Sequence, residues 1–353
     1  MCIRDSSNTA VDANISKERI NTTEIGLNLG FLNGRVWFDG AYFNTITTDL
    51  ITSTTPSYAS GSSGFLTNIG KLKGNGYELS LGGSVLKFND FKWDVNLNYT
   101  HFETIVDEIY EGLDEISLLG YGSMGIYAIK DMPFPQVKAN VYTRDPEGRI
   151  VIDPSSGYPK TETSLEALGQ TTPKHIFGAN TVLHYKGFSA SATYDYRTGH
   201  VYFDQGAYSM EFTGRSMASV SSNRQDFVVP NSVIEVSDGV YEENTSIPVQ
   251  GGRQNYWTNV YNNVFSNYVK DASAAKIREL SVSYTLPSKL LDKTPLSKLS
   301  IGFIARNPFT WLPPENMFSD PEFNNYNDNR IGFGGYLQSP PTKSYGFTLN
   351  IEF

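Results

Sequence analysis

The chain has 353 residues, of which 39% are hydrophobic and 13% aromatic, a low apolar share for a packed globular core of this size. Its net charge of -9 argues against nucleic acid as a partner, since phosphate binding needs a basic face, and its single cysteine, Cys2, excludes a disulfide framework. The sequence has no apolar run of about 18 residues, which excludes a transmembrane helix, whereas a membrane-spanning strand needs only about 9 to 11 residues, half of them apolar.

Strict alternation of apolar and polar residues predicts about nine strands, and therefore an all-β fold. In residues 91–100, FKWDVNLNYT, every second side chain is aromatic or aliphatic and the others are polar. The same period occurs in residues 35–47 and, in chain order, at these positions of one face: Ile25, Leu27, Leu29 and Phe31; Tyr77, Leu79 and Leu81; Phe177, Ala179, Thr181, Leu183 and Tyr185; Phe188, Ala190, Ala192, Tyr194 and Tyr196; Leu280, Val282, Tyr284 and Leu286; Leu299, Ile301, Phe303 and Ala305; Tyr345, Phe347, Leu349, Ile351 and Phe353.

The connections between the predicted strands alternate between short and long. Asn33-Gly34, Asn89-Asp90 and Lys186-Gly187 are tight turns and residues 287–297 form a longer one; Asn-Gly is the strongest turn signal because both residues tolerate a positive φ. The other connections, about 49–70, 107–172, 200–271 and 307–342, are far longer than ordinary loops. Because antiparallel strands alternate ends, the short turns all lie at one end of the sheet and the long loops at the other.

This asymmetry is typical of outer-membrane barrels, which have short periplasmic turns and long extracellular loops. We therefore predict part of a transmembrane antiparallel β-barrel, with lipid against the apolar face and a wet lumen against polar side chains such as Asp94, Asn96 and Asn98. A soluble β-sandwich with a solvated polar face is the alternative that alternation alone leaves open. A periplasmic C-terminus puts every short turn in the periplasm and every long loop outside.

The strand count predicts that the chain is part of a longer protein. Nine is odd, whereas bacterial single-chain barrels have an even number of strands, so we expect further strands before Met1. The N-terminus has no recognisable signal peptide, although an exported protein needs one. We therefore expect residues 1–6 to be an artefactual or non-native start and residues 7–353 to be the C-terminal portion of the barrel; a complete cytosolic protein is the alternative.

Five segments, in this order, resemble the SusC/RagA family of TonB-dependent outer-membrane receptors. They are NGRVWFDGAYFNTITTDLI at 33–51, TNIGKLKGNGYELSL at 67–81, SNYVKDASAAKIRELSVSYTLP at 266–287, IGFIARNPFTWLPPENMFSDPE at 301–322 and PPTKSYGFTLNIEF at 340–353. The resemblance spans nearly the whole chain. It implies a barrel of about 22 strands filled by a plug, with the plug and the TonB-contacting segment in a missing N-terminal part.

The resemblance also implies a function and partners. It implies TonB-driven import of a nutrient, an oligosaccharide in the first place and a peptide in the second, and a surface lipoprotein of the SusD type that caps the barrel. The alternatives are a passive outer-membrane porin or surface adhesin without energy coupling, and a soluble carbohydrate-binding β-protein.

An enzyme needs a nucleophile, a base and an orienting group that converge, and the sequence gives no sign of such a set, so we expect no catalytic residue, metal or cofactor. The histidines at 101, 175, 184 and 200 lack metal-ligand spacing and are expected to lie in the wall or at its interface. The turns at Asp145, Asp153 and Asn324 are candidates for calcium, with an ordinary Asx turn as the favoured alternative.

The candidate substrate-binding residues are Tyr256, Trp257 and Tyr261, which alternate with amide side chains in a long loop. Aromatic rings stack on the apolar patches of sugars or peptides, and amides hydrogen-bond to their polar groups. The equally weighted alternative is that these rings pack the loop on itself or on a partner.

Charged residues near the extracellular ends of the last strands give a second set of candidates. Arg306 at the top of its strand is a candidate substrate contact, with structural pairing across the wall as the favoured alternative. We expect Lys276 and Arg278 to form a charge network with Asp271 and Glu279 at the rim.

The terminal strand is expected to have a role of its own. It resembles the signal that the barrel-assembly machinery reads on outer-membrane proteins, and it must also pair with the first strand to remove the sheet edge. Its alternating residues are Tyr345, Phe347, Leu349, Ile351 and Phe353.

Overall fold

Nine long strands form one antiparallel sheet, here called the wall, in the computed structural model, which describes residues 9–353 except 55, 250–252, 317, 338 and 340. Each strand pairs with its neighbours along the chain. The strands are β1 (Arg19–Phe31), β2 (Val36–Thr48), β3 (Gly70–Phe88), β4 (Phe91–Ile109), β5 (His175–Tyr185), β6 (Phe188–Thr198), β7 (Ala274–Thr285), β8 (Lys298–Trp311) and β9 (Ser344–Glu352). The prediction of about nine strands is confirmed, and the expected non-native start, residues 1–6, lies outside the described residues.

The register of the wall places most of its apolar side chains on one face and most of its polar side chains on the other. On the polar face, hydrogen bonds link side chains of adjacent strands: the Asn28 amide donates to Asp39 (2.8 Å), and the Asn180 amide donates to Thr193 (2.9 Å). On the apolar face the Trp93 indole N–H donates to the Thr181 hydroxyl (2.7 Å), so this polar atom has a partner within the wall. A one-residue slip between strands would exchange the two faces, so the alternation specifies the register.

The apolar face of the wall is exposed along its length. Its uncovered side chains include Leu27, Leu97, Val282 and Phe347. A β-sandwich buries that face under a second sheet about 10 Å away, and in the described part of the chain no second sheet lies there. The structure therefore argues against the sandwich alternative. Strands β1 and β9 are the two edges of the wall, so the nine strands form an open segment of a barrel.

The short turns adopt the conformations that their residues predict. Asn33 and Gly34 between β1 and β2 have φ of 55° and 78°, Asn89 between β3 and β4 has φ of 47°, and Lys186 and Gly187 between β5 and β6 have φ of 45° and 88°. Left-handed conformations of this kind match the twist of a tight hairpin. The fourth turn, between β7 and β8, contains the short helix Ser288–Leu290.

The long connections carry secondary structure of their own. Loop 1 (49–69) contains Ile51–Thr54, Tyr58–Ser60 and Gly64–Asn68, the last paired in parallel with Thr9–Val11. Loop 2 (110–174) contains Tyr110–Gly112, Glu115–Tyr121, Met124–Ile129, Gln136–Ala139, Ile150–Ile152 and Glu166–Gln170. Loop 3 (199–273) contains Val201–Asp204, Gln205–Phe212, Ala218–Val220, Ser232–Ser237, Val240–Glu243, Arg253–Asn255, Tyr256–Val260, Tyr261–Asn263, Phe265–Tyr268 and Val269–Asp271. Loop 4 (312–343) contains Phe333–Gly334.

The long loops hold most of the buried apolar residues. The largest cluster joins the loop ends of β3 and β4 to loops 1, 2, 3 and 4, with fully buried members such as Ile126, Val137 and Phe203. Asn140 ties loop 2 to loop 3, because its side-chain oxygen Oδ1 accepts from the Phe265 N–H (2.8 Å) and its side-chain Nδ2 donates to the Asn263 carbonyl (2.8 Å). The four loops therefore pack on one another as a folded layer at one end of the wall.

The helices of the chain are short and lie in the loops and one turn. The longest, Gln205–Phe212, begins at Asp204, whose carboxylate accepts from the Ala207 N–H (2.9 Å). Among the described helices, none has the length and apolar character needed to cross a membrane.

Candidate functional site

Tyr256, Trp257 and Tyr261 lie together in one helical turn of loop 3. The Trp257 ring centroid is 5.1 Å from that of Tyr256 and 4.9 Å from that of Tyr261. Tyr256 is only 4% exposed and packs in a second apolar cluster with Ile152 and Val229. Tyr256 therefore offers almost no surface to a ligand, because it packs between loop 2 and the rest of loop 3.

Trp257 also lines a cavity of about 330 Å³ on the surface of loop 3. The wall of this cavity is mixed, with the Trp257 ring and Phe212 beside the polar residues Thr213, Arg224 and Gln254. Volumes of this size and a few polar groups on an aromatic wall are typical of small-molecule sites. The structure thus places Trp257, one of the three predicted aromatic residues, at a cavity.

Glu211 lines the same cavity. It is buried, and burial raises the pKa of its carboxyl. Within the described residues, one carboxyl oxygen of Glu211 and the indole nitrogen of Trp257 have no hydrogen-bond partner. A buried polar atom without a partner costs about 1–3 kcal/mol. A ligand in this cavity that hydrogen-bonds to these two atoms would therefore remove that cost.

A second cavity, of about 240 Å³, lies on the polar face where the wall meets loops 2 and 4. Its lining combines the Phe102 ring with the hydroxyls of Thr45, Thr47 and Thr104. The Phe102 ring stacks on that of Phe43 at 5.6 Å. These two aromatic residues therefore stand on the face of the wall that carries most of its polar side chains.

Glycines make room for this aromatic pair. A Cβ atom at Gly76 would lie 2.7 Å from the Phe43 ring and 2.4 Å from the His101 carbonyl oxygen, and one at Gly74 would lie 3.0 Å from the Phe102 ring. The Gly-Asn-Gly segment thus has a packing reason. The sequence carries a signal that was missed, because the doublets Tyr42-Phe43 and His101-Phe102 necessarily place one ring on each face of a strand.

Arg306 lies on the polar face of β8, where its guanidinium pairs with the Glu279 carboxylate of β7 (3.3 Å). Its side chain remains 64% exposed, so the pair leaves much of the guanidinium open to the lumen side. In the described part of the chain, no contact links Arg306 to the aromatic turn of loop 3. The two sets of candidate residues are separate.

Lys276 and Arg278 form the expected charge network, but with different acidic partners. The Lys276 ammonium group lies 2.5 Å from both Asp320 and Glu322 of loop 4, and the Arg278 guanidinium pairs with Glu322 and with Asp195 on β6 (2.7 Å). The expectation of Asp271 and Glu279 was wrong: Asp271 accepts from Ser273, and Glu279 pairs with Arg306. The Asp-Pro-Glu segment of loop 4 supplies the partners because loop 4 folds back onto the wall.

This network is largely out of contact with water. The side chains of Lys276 and Asp320 are each 4% exposed. Burial raises the pKa of the Glu322 carboxyl, but hydrogen bonds from Arg278 and Lys276 outweigh it and hold the pKa at about 2. Glu322 therefore stays ionised at neutral pH, and the network fastens loop 4 to β6 and β7.

The remaining titratable candidates do not form a metal site within the described residues. The Asp145 carboxylate accepts from the N–H groups of Glu147 and Arg149, and the Asp153 carboxylate accepts from the Ser155 N–H, which are Asx turns. His101 and His175 lie side by side on the apolar face, with their Nδ1 atoms 3.4 Å apart. His200 is largely buried in loop 3, and this burial lowers its pKa to about 4.

The terminal strand β9 places its alternating residues on the exposed apolar face. Tyr345 and Phe347 pack against Phe303 of β8, with ring centroids 6.2 Å and 5.3 Å apart, and Leu349 and Ile351 continue the same face. Phe353 follows the last paired residue and is exposed.

Comparison with known proteins agrees with this architecture. The family described as TonB dependent receptor-like, beta-barrel matches residues 4–307. TonB-dependent receptor P3 of Formosa agariphila is 23% identical over 96% of this chain and 34% of its own length. TonB-dependent receptor SusC of Bacteroides thetaiotaomicron is 33% identical over 30% of this chain and 11% of its own length.

A solved structure of the RagAB peptide transporter has the same fold, with a TM-score of 0.69, 16% identity, and coverage of 94% of this chain and 35% of that chain. The chain thus spans about a third of the length of receptor P3 and of the receptor chain in the RagAB structure. Membership of this family places the wall in the outer membrane, with the apolar face toward lipid. The nine-strand wall and these matches agree, and the chain belongs to the family of TonB-dependent receptor-like β-barrels.

Proposed function

We propose that this chain is the C-terminal wall and loop layer of a receptor that imports a nutrient through the outer membrane by TonB-dependent transport. The observation that carries the proposal is the pair of cavities on the loop and lumen side of the wall, both lined by an aromatic ring beside hydroxyl, amide or guanidinium groups. Family membership supports the same function.

An oligosaccharide fits these linings better than a peptide does. Sugar rings present apolar patches flanked by hydroxyls, and each cavity offers aromatic rings for stacking and several groups for hydrogen bonds. Trp257 is the proposed contact in loop 3, with Tyr256 and Tyr261 as the rings that hold it in place, and Arg306 is the proposed contact in the lumen. Peptide import, which the name of the RagAB transporter states for that protein, is the second candidate.

An uptake assay on the full-length receptor tests this function. Cells that carry the receptor are given fluorescent oligosaccharides, and accumulation is compared with and without TonB. Import predicts that uptake is lost without TonB. Uptake through a passive porin would be the same with and without TonB, and an adhesin would bind the oligosaccharide to the same extent in both cases. Trp257→Ala is expected to lower uptake several-fold; the matched control is Trp311→Ala, on the lipid-facing side of β8.

A surface lipoprotein of the SusD type is the proposed partner of the loop layer. Helix Gln205–Phe212 lies beside loop 4, since the Tyr336 N–H approaches the Gln205 side-chain oxygen (3.4 Å). Apolar side chains stand exposed around this contact, among them Phe318, Tyr336 and Leu337, the last 83% exposed. Loops outside the membrane have no lipid to cover such a patch, and exposed apolar patches are typical of protein interfaces.

Co-purification tests the partner. The full-length receptor and the lipoprotein encoded beside it are purified together in mild detergent, and Leu337→Glu is expected to release the lipoprotein. Leu290→Glu, in the turn at the opposite end of the wall, is the control and should leave the pair intact. Equal recovery with both variants would place the interface elsewhere.

The orientation and the assembly signal complete the proposal. A periplasmic C-terminus puts the turns in the periplasm and the folded loop layer outside, where a nutrient and a lipoprotein would meet it. Phe353 and the apolar residues of β9 would be read by the barrel-assembly machinery before the wall closes. Removal of Phe353 is expected to lower the amount of receptor in the outer membrane, measured by surface labelling, without changing synthesis.

A further inference from the structure

The lipid-facing side of the wall has a groove. A concavity of about 480 Å³ lies on the apolar face of β2 to β6, and nearly all of its surface is carbon. In the cross-strand register Ala179 lies between Leu97 and Tyr194, so a methyl group stands between two larger side chains. The other apolar walls of the groove are Phe38, Leu79, Leu81, Tyr99 and Phe177.

A polar cluster closes the loop end of this groove. Tyr99 lines the groove, and its hydroxyl lies 2.8 Å from the Nδ1 atom of His175. His101 stacks on Tyr77 with ring centroids 4.9 Å apart, and its Nδ1 atom lies 3.4 Å from that of His175. Among the described residues, no hydrogen bond reaches the Nε2 atom of either histidine, so both can bond to something outside the wall.

The height of the cluster corresponds to the membrane interface. Along β4 the apolar face runs from Phe91 at the turn end to His101, a rise of roughly 33 Å at about 3.3 Å per residue. Strands tilted by about 40° convert that rise to roughly 25 Å along the membrane normal, which is the height of the apolar band of outer-membrane barrels. His101 and His175 therefore lie at the headgroup level of the lipid leaflet on the loop side.

Cationic side chains continue the face beyond the histidines. Lys73 lies on the same face of β3 as Tyr77, and its ammonium group pairs with Asp107 while the side chain stays half exposed. Lys174 directly precedes His175 and pairs with Glu103 (2.7 Å). Ammonium and imidazole groups at headgroup level are donors suited to a phosphate.

We propose that this groove and cluster bind one lipid of the surrounding leaflet, with an acyl chain along the groove and a phosphorylated headgroup at His101 and His175. An acyl chain gains no hydrophobic free energy by leaving bulk lipid, because the membrane is as apolar as the groove; shape and packing hold it there. Selectivity among lipids comes from the headgroup. This site is on the opposite face of the wall from the nutrient cavity at Phe102, and its lining shares no residue with the cavity in loop 3.

Native mass spectrometry of the full-length receptor tests the site. The receptor in detergent is titrated with dioleoylphosphatidylglycerol or with dioleoylglycerol, which lacks the phosphate. We expect one phosphatidylglycerol to be retained about tenfold more tightly than the neutral lipid. Equal retention of the two lipids by the unmodified receptor would overturn the headgroup assignment.

Matched variants separate the groove from the rest of the lipid-facing surface. Ala179→Trp fills the groove and is expected to lower retention at least tenfold, whereas Ala190→Trp, on the same face of the neighbouring strand, leaves it unchanged. His101→Leu with His175→Leu should reduce binding of phosphatidylglycerol to the level of the neutral lipid. Ala179→Leu, a smaller change, serves if the tryptophan variant fails to give folded, heat-modifiable protein. Equal retention by the Ala179 and Ala190 variants would refute the groove.

Discussion

Lys276→Met is the sharpest test of how the loop layer is fastened to the wall. The substitution keeps the length and packing of the side chain but removes the charge that pairs with Asp320 and Glu322. Glu322 retains its pairing with Arg278, so the loss falls mainly on Asp320, whose carboxylate is left buried opposite an apolar side chain.

The expected size follows from this geometry. Removing one partner of a buried ion pair costs about 3–5 kcal/mol, because the other charge stays buried without compensation. Since Glu322 keeps a partner, we expect the lower end, about 3 kcal/mol. At 1.4 kcal/mol for each factor of ten, loop 4 would open roughly 100-fold more often.

Hydrogen exchange on the full-length receptor measures that opening, because amide protection in loop 4 should fall by the same factor. Lys298→Met is the control: its pair with Glu352 joins two half-exposed side chains and is worth about 0–1 kcal/mol. Adding Asp320→Leu to the Lys276 variant should restore protection to within about 1 kcal/mol, because no unpaired charge then remains. If the Lys276 and Lys298 variants exchange alike, the network does not hold loop 4.

Three further predictions concern the wall and the other loops. Burial holds the pKa of His200 at about 4, so the unfolded chain binds a proton at this residue before the folded chain does as the pH falls. The stability of loop 3, followed by hydrogen exchange, should be constant above about pH 6.5 and decline by on the order of 2–3 kcal/mol toward pH 4. In His200→Phe this decline should be flatter. Gly76→Ala should destabilise the wall by about 1–3 kcal/mol, because the added Cβ clashes with the Phe43 ring and with the neighbouring strand. A heat-modifiability gel should show this as a lower transition temperature. Gly30→Ala is the control, since its Cβ would meet open space, and equal transition temperatures in the two variants would contradict the packing role. Asn140→Ala leaves two groups of loop 3 without partners and should cost about 2 kcal/mol of protection there, with Asn259→Ala, whose amide bonds within its own exposed turn, as the comparison that should change little.

The wall could be predicted from the sequence because each of its strands has lipid on one face and water on the other. Lipid on one side and water on the other force a period of two, and the turn residues Asn33, Asn89 and Lys186 mark where the chain reverses. The same period of two explains why Phe43 and Phe102 on the polar face were not predicted. Each is preceded by another ring, Tyr42 or His101, so neither stands out as a break in the alternation.

The loop layer could not be read in this way. Its contacts join residues far apart in sequence, such as Asn140 with Phe265, and its strands are too short to show a period. The rings of Tyr256 and Trp257 have the composition of a binding surface, yet packing against loop 2 buries the first and leaves the second at a cavity. For Lys276, local sequence suggested nearby acids, while the fold supplies carboxylates from the last long loop.

The place of the apolar core has a consequence for how such a sequence tolerates change. Lipid-facing positions of the wall contact a fluid, so Leu, Ile, Val and Phe can replace one another there with little loss of fit. Residues such as Ile126, Val137 and Phe203 sit in close-packed surroundings, where a single methylene group too few or too many is felt. Substitutions should therefore accumulate on the membrane strands and at the tips of the loops, while the interior of the loop layer drifts slowly, the reverse of the usual contrast between a constant framework and variable loops.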